Sequence, residues 1–493
     1  MNDTTKKRNG YPQDPHAAVR DATPRAEADP MRPRYHFHAP ANWMNDPNGT
    51  VYHDGYYEVF YQSNPYGDNW DRMHWGHART RDFLAWQHLP IALIPNPEFG
   101  ETGCWSGVCL PRSARPPILL YTSARDRDAG EPFVQRIADG DESFLLWRPR
   151  EAPLLQLDDV PFPIDGDWRD PFVFRHDGRY FLILAARPID DTRPPAVLLF
   201  HASDETLENW EYHGVLFEWT QTDSLPECPN FIRLAEEWLL LVSPFAPVKF
   251  FRGAFDAESG RFTARESGLF DRSPQYYATN TITDAVGRTI VLAWIRGFPE
   301  GRGWNGCLAL PRELSIGADG ALERNPVREI EKLRGVQRVV DHTSFCCARS
   351  VSIADVSPAK MELTMRYTVP EGSAVRVEFL VGTRAVVAIE CTDSEISVGD
   401  DVIPVDQANP ITDASRSGPS HEIRLFTDQS VIELYLDRGR ECLTRVVPGL
   451  HLCETAIVSR TNRAEIHRAE YYPMSDATYD FSLFPAYCTK TGG

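Results

Sequence analysis

The chain reads as all-β, a five-bladed β-propeller followed by a C-terminal β-sandwich. Three observations carry that reading. From Tyr35 onward the sequence is a series of short aromatic and β-branched runs broken by Gly, Pro and Asp-Gly, the punctuation of strands and tight turns. A strand–turn–strand unit recurs five times in the first two thirds of the chain. After about residue 350 the strands become longer and alternate strictly, which marks one buried face and one wet face.

Taken in order, residues 1–33 are rich in Pro, Ala, Asp and Arg without periodicity and read as a flexible N-terminal arm. The propeller reading covers 34–335. Asp46-Pro47 leads into Thr50-Val51-Tyr52, a His53-Asp54-Gly55 turn and Tyr56–Tyr61. Asp170-Pro171 leads into Phe172-Val173-Phe174, a turn at Asp177-Gly178 and Tyr180–Leu184. Glu227-Cys228-Pro229 leads into Phe231–Leu234, a turn at Ala235–Glu237 and Trp238–Val242. Weaker copies start at Trp105-Ser106-Gly107 and at Tyr277-Ala278-Thr279. The starts lie about 50 to 65 residues apart, the span of a four-stranded blade with long loops. Equivalent points of different blades meet at the propeller axis, so Asp46, Asp170 and Glu227 converge although 124 and 57 positions separate them. Acids that merely cap turns are the alternative, but three in register, each beside a proline, favour convergence.

Val327–Leu333, with Glu329, Glu331 and Lys332, reads as a short linking helix. Residues 336–493 read as the sandwich, with Lys360–Met365, Val375–Leu380 and Val431–Leu436 as its clearest strands. No cluster of catalytic groups stands out there.

At 493 residues the chain exceeds one core and two folded units are expected. The net charge of -19 argues against a nucleic-acid partner, because phosphates would be repelled. Twelve Trp, 18 Tyr and 25 Phe supply flat apolar faces on which sugar rings stack. The ten cysteines are scattered, with no metal-binding spacing, and fit free thiols in a reducing compartment. The N-terminus lacks an apolar signal region and no run is long enough to span a bilayer, so a cytoplasmic protein without a membrane partner is expected.

The segment Trp43-Met44-Asn45-Asp46-Pro47-Asn48-Gly49 holds one carboxylate between an indole, two amides and a Pro-Asn-Gly turn. Pro47 restricts the residue before it to extended backbone. Read alone, Asp46 is equally an Asx-turn residue or a ligand-facing carboxylate. Glycoside hydrolysis needs two carboxylates, one ionised and one with a raised pKa that protonates the leaving oxygen. Asp46 between amides suits the first role. Glu227 among Leu225, Pro226, Cys228, Pro229 and Phe231 suits the second, since apolar surroundings raise a carboxyl pKa. Arg169 is expected to keep Asp170 ionised, as a site residue or as a structural ion pair.

These three motifs resemble those of glycoside hydrolase family 32, the invertase, inulinase and levanase family. Phe60–Pro65, Trp75-Gly76-His77-Ala78, Trp304 through Pro311-Arg312-Glu313-Leu314, and Phe426–Tyr435 also resemble family segments. The resemblance covers about residues 35–475. It implies a five-bladed propeller with a β-sandwich, and a retaining mechanism on terminal β-D-fructofuranosyl units without metal or cofactor. By position it implies Asp46 as nucleophile, Glu227 as acid/base and Asp170 as transition-state stabiliser. It places the fructose pocket at Asn45, Gln62, Trp70, Trp105, Ser106 and Arg169. Three positions depart from the pattern. Pro226 stands where Trp is common, Trp105 where Phe is frequent, and Gln275-Tyr276-Tyr277-Ala278 where Asp-Phe-Tyr-Ala is frequent. In relatives that Asp helps hold the leaving side of sucrose, which makes Gln275 a candidate substrate contact without charge. Trp294 and Trp304 are rim platforms or core.

The expected activity is an exo-acting β-fructofuranosidase cutting sucrose-like fructosides or fructans. A fructosyltransferase with the same residues is the alternative, since only the acceptor differs. A non-catalytic carbohydrate-binding protein is disfavoured because all three acids are present. The expected partner is a small carbohydrate, and the sequence leaves open a homo-oligomer through the sandwich.

Overall fold

The computed structural model describes residues 14–112, 115–190, 193–341, 350–406, 420–461 and 463–485. Five antiparallel sheets form the propeller. Their innermost strands are Asn42–His53, Gly103–Arg112, Arg169–His176, Glu227–Leu234 and Tyr276–Thr283. Each packs beside the next, and the fifth returns to the first. The second strands of the blades carry unbroken apolar runs, such as Phe181-Leu182-Ile183-Leu184 and Leu239-Leu240-Leu241-Val242, in which every side chain is buried. An antiparallel sheet with one wet face would alternate. Here blade packs on blade, so both faces are covered and alternation disappears.

The ring is closed by the short strand Trp304–Asn305, which pairs in parallel with the innermost strand of the first blade. Thr478–Asp480, near the end of the chain, pairs in parallel with the outer strand Ala85–Leu93 of that blade. The stretch assigned from sequence to the sandwich alone therefore ends on the propeller.

The sandwich has two six-stranded sheets around one apolar core that includes Met361, Leu363, Val377, Phe379, Ile389, Ile423 and Leu434. Its strands alternate as read, Val375–Val381 burying Val375, Val377 and Phe379 while Arg376 is exposed. Val327 through Leu333 ends in a 3₁₀ turn at Arg328–Leu333. The two domains share apolar cores: Val431 and Val446 pack with the fifth blade, and Phe426 and Tyr435 with the first. A fully buried ionic cluster spans the same interface. Arg312 bonds Asp271 at 2.8 Å and Glu433 at 3.0 Å, while His36 bonds Asp428 at 2.8 Å and Glu433 at 3.0 Å.

Residues 1–13 of the predicted arm lie outside the described residues. The rest corrects the reading of a flexible arm. Pro15–Glu27 is a helix capped by the Asp14 side chain, which accepts from the Ala17 N–H at 3.0 Å, with Pro at the first position where its missing N–H costs nothing. It buries Val19 and Ala26. Asp29, just beyond it, accepts from Arg302 at 2.9 Å and from the Trp304 indole at 3.0 Å. The apolar face is made of few small side chains, so no amphipathic pattern shows in the sequence. No helix among the described residues is long and apolar enough to cross a membrane.

Candidate active site

Every innermost strand carries a break in register near its start: between Met44 and Pro47, Trp105 and Gly107, Glu227 and Asn230, Tyr277 and Asn280, and opposite Ile183–Ala185 in the third blade. Asp170, Cys228 and Ala278 have φ of 65°, 46° and 49° there, left-handed backbone that L-residues adopt at a cost. Such bulges re-aim side chains. Here they turn Asp46, Asp170 and Glu227 into one cavity of ≈ 390 Å³ on the propeller axis.

Each carboxylate has a different set of partners. Asp46 accepts from the Ser106 hydroxyl at 2.8 Å, the Asn45 amide at 3.0 Å and the Cys228 thiol at 3.5 Å. Asn45 is oriented in turn by the Trp43 indole, which donates to its carbonyl at 2.7 Å. Glu227 Oε1 accepts two bonds from Arg169, at 2.7 and 3.1 Å. Its Oε2 lies 2.6 Å from the Tyr277 hydroxyl, which also lies 2.7 Å from the Ser243 carbonyl and accepts from the Phe245 N–H at 2.8 Å. Asp170 accepts the Cys228 N–H at 2.8 Å.

Burial raises the pKa of Glu227, against the opposing pull of Arg169 and the Tyr277 hydroxyl. Burial also pushes Asp170 up to about 7; Arg169 opposes this, while Glu227 and Asp46 add to it. Sequence adjacency suggested that Arg169 holds Asp170 ionised. The correction is geometric: the guanidinium bonds Glu227 and Asp167, and its charge only partly offsets the burial that raises the Asp170 pKa.

The cavity gathers Asn45, Gln62, Trp70, Trp105, Ser106 and Arg169 around the three acids. Gln62 is 2% exposed and its Nε2 has no hydrogen-bond partner among the described residues, which leaves a buried donor for a ligand hydroxyl. Trp70, 54% exposed, stands at the rim. Gln275 does not reach the cavity. Its side-chain carbonyl accepts from the Val446 N–H of the sandwich at 2.8 Å, so the departure from Asp serves the domain interface. Of the two tryptophans left open, Trp294 lines the cavity and Trp304 is packed inside. The reading from sequence did not assign Tyr277, Phe245 or Arg296 to the site, although all three line it. Only Tyr277 carried a signal, since it starts the fifth blade repeat. Among the described residues no group of His, Cys, Asp and Glu is arranged to hold a metal ion.

Comparison with known proteins agrees with this architecture. Residues 36–326 match the glycosyl hydrolases family 32 N-terminal domain. The sucrose-6-phosphate hydrolase of Escherichia coli is 28% identical over 453 residues, covering 84% of this chain and 89% of that protein. The levanase of Bacillus subtilis (strain 168) is 27% identical, covering 84% of this chain and 66% of its own length. The solved structure of sucrose-6-phosphate hydrolase from Lactobacillus gasseri superimposes with a TM-score of 0.79 at 20% identity, covering 93% of this chain and 96% of that one. With the family's N-terminal domain matched over more than half of its length, the chain belongs to glycoside hydrolase family 32.

Proposed function

We propose that the protein is a retaining, exo-acting β-fructofuranosidase that hydrolyses terminal β-D-fructofuranosyl units of sucrose-like fructosides or fructans. The observation that carries the proposal is the convergence of three carboxylates with three different environments in one cavity. Neutral donors from Ser106, Asn45 and Cys228 orient the Asp46 carboxylate without cancelling its charge, which suits a nucleophile. Burial of Glu227 favours its protonated form, which suits a general acid.

In the first step Asp46 attacks the anomeric carbon of the fructosyl unit. The bond to the leaving oxygen breaks, and that oxygen takes the proton of Glu227. In the second, Glu227 removes a proton from water, which attacks the anomeric carbon and releases Asp46. Asp170 has one carboxyl oxygen on the Cys228 N–H and the other for a sugar hydroxyl. Gln62 and Ser106 supply further polar contacts, and the exposed ring of Trp70 a stacking face. A cavity of ≈ 390 Å³, near the lower end of ligand pockets, supports binding of a chain end rather than the middle of a polymer.

The test is the Asp46→Ala variant assayed on sucrose, inulin and levan. Its hydrolysis should fall on the order of 10⁴-fold, and NMR should show the parent releasing fructose first as the β-anomer. A purified variant as fast as the parent overturns the assignment. Products longer than the substrate at high sucrose would identify a transferase.

A further inference from the structure

Among the described residues, the exposed large apolar side chains include two aromatic rings, Trp70 and Phe245, at 54% and 59% exposure, and both line the cavity. Exposed apolar residues scattered singly are ordinary, but Phe245 is set apart by its backbone. It lies in the turn between the strands Glu237–Ser243 and Lys249–Asp256 of the fourth blade, with φ of 56°. That left-handed conformation costs a phenylalanine and suits a glycine. The turn holds it there. The Phe245 N–H donates to the Tyr277 hydroxyl at 2.8 Å, and the carbonyl of the preceding Pro244 accepts from the Ser224 hydroxyl at 2.9 Å. Pro244 and Pro247 stiffen the chain on either side. The ring itself is left largely uncovered, its centroid 6.3 Å from that of Tyr277 and tilted by 42°.

Backbone strain kept at an exposed ring inside a cavity marks a ligand contact rather than a packing residue. Position decides which part of the ligand it meets. Trp70 packs edge-on against Trp105 at 6.0 Å, next to Ser106, whose hydroxyl donates to Asp46. Phe245 is tied to the other acid: its N–H is on the Tyr277 hydroxyl, which lies 2.6 Å from Glu227 Oε2. The two rings therefore flank different acids, Trp70 the proposed nucleophile and Phe245 the proposed acid. A sugar ring presents faces of C–H bonds, whose positive edge suits the negative face of an aromatic ring. Resting on the fructosidase reading, we infer that Phe245 determines which leaving groups are accepted: its ring is the platform on which a cyclic leaving group stacks while Glu227 protonates the oxygen it departs on.

The experiment compares kcat/KM for sucrose, whose leaving group is a sugar ring, and for methyl β-D-fructofuranoside, whose leaving group has none, in the parent, Phe245→Gly and Phe245→Tyr. Glycine removes the ring, adopts the left-handed backbone freely and keeps the N–H for Tyr277, so the melting temperature of Phe245→Gly should not fall. This variant should lose about tenfold on sucrose, mainly through KM, and stay within about twofold of the parent on the methyl fructoside. Phe245→Tyr, which keeps the ring, should hold the parent's ratio of the two substrates. Sucrose hydrolysis unchanged in Phe245→Gly, or an equal loss on both substrates, overturns the inference. If the parent releases fructose from neither substrate, the fructosidase reading fails separately. NMR saturation transfer from the protein to the glucosyl protons of sucrose then decides the role of Phe245: transfer lost in Phe245→Gly supports it, and transfer equal in the two proteins, or none in the parent, overturns it.

Discussion

Replacing Tyr277 with Phe removes one oxygen that stands between the acid and the fold. That oxygen lies 2.6 Å from Glu227 Oε2 and 2.7 Å from the Ser243 carbonyl, and it already accepts the Phe245 N–H. A tyrosine has one proton and cannot donate to both acceptors at once. When Glu227 is ionised the proton goes to the carboxylate and the Ser243 carbonyl loses it. When Glu227 is protonated, the acid can donate to Tyr277 and the tyrosine to Ser243, so each group is satisfied. The hydroxyl nevertheless favours the ionised acid, opposing the burial that raises it. A hydrogen bond to a charged group contributes about 1.5–3 kcal/mol, and 1.36 kcal/mol corresponds to one pH unit. Because the proton is divided with Ser243, the low end applies. In Tyr277→Phe the alkaline limb of the kcat/KM profile should move up by about one pH unit. The hydroxyl touches Glu227 and neither of the other two acids among the described residues. A limb that stays in place, or moves down, refutes the argument that ionisation of Glu227 closes the active range. The same variant leaves the Ser243 carbonyl and Phe245 N–H short of a partner, costing about 1–3 kcal/mol, so its melting temperature is measured in parallel.

Two further predictions concern the domain interface. Burial alone would lower the pKa of His36, but hydrogen bonds to Asp428 and Glu433 carry it up to about 9. A raised pKa stabilises the fold fully below the unfolded value near 6.5, and that contribution is lost as pH rises through about 9. Glu433, which burial would raise, is held down to about 2 by His36 and Arg312, so its contribution is lost as pH falls toward that value. Thermal melts should show a decline between pH 6.5 and 9 worth about 3 kcal/mol, and His36→Gln should flatten it; an equal decline in the variant refutes the linkage. Gln275→Ala should lower stability by about 1 kcal/mol, because the Val446 N–H loses its acceptor, while KM for sucrose stays within about twofold. A several-fold rise in KM would return Gln275 to the substrate pocket.

The propeller was legible because its repeat is written in turns and apolar runs, and the acids because they recur at one point of that repeat. What escaped the sequence has physical causes. Neighbours in sequence are not partners in space: Arg169 sits beside Asp170 but bonds Glu227 and Asp167, since the backbone at Asp170 is turned to φ 65°. The helix at Pro15–Glu27 buries only a narrow face of small residues, too little for a periodic signal. Gln275 lies three residues before Ala278, inside a motif read as substrate-facing, but it sits in the turn just before the strand Tyr276–Thr283 and its side chain reaches the Val446 N–H of the other domain. Arg296 belongs to no motif, and only the packing of its guanidinium on Tyr277 reveals where it points.

The five blades set Asp46, Asp170 and Glu227 at equivalent points, so position alone cannot divide the labour among them. Their partners can. Asp46 receives bonds from a hydroxyl, an amide and a thiol, neutral donors that fix its direction, as the proposed nucleophile requires. Glu227 has a guanidinium on one oxygen and a tyrosine hydroxyl on the other, so its proton is contested by a cation, a shared hydrogen bond and burial. A residue in that balance can give up and regain a proton within one reaction cycle. Among the described residues the Asp170 carboxylate accepts a single hydrogen bond, from the Cys228 N–H, and that bond ties the third blade to the fourth. Moving any one blade would shift the partner of an acid on another. The shared bulges and left-handed backbone at Asp170 and Cys228 are then the local strain that the closed ring must hold to keep the three acids in register.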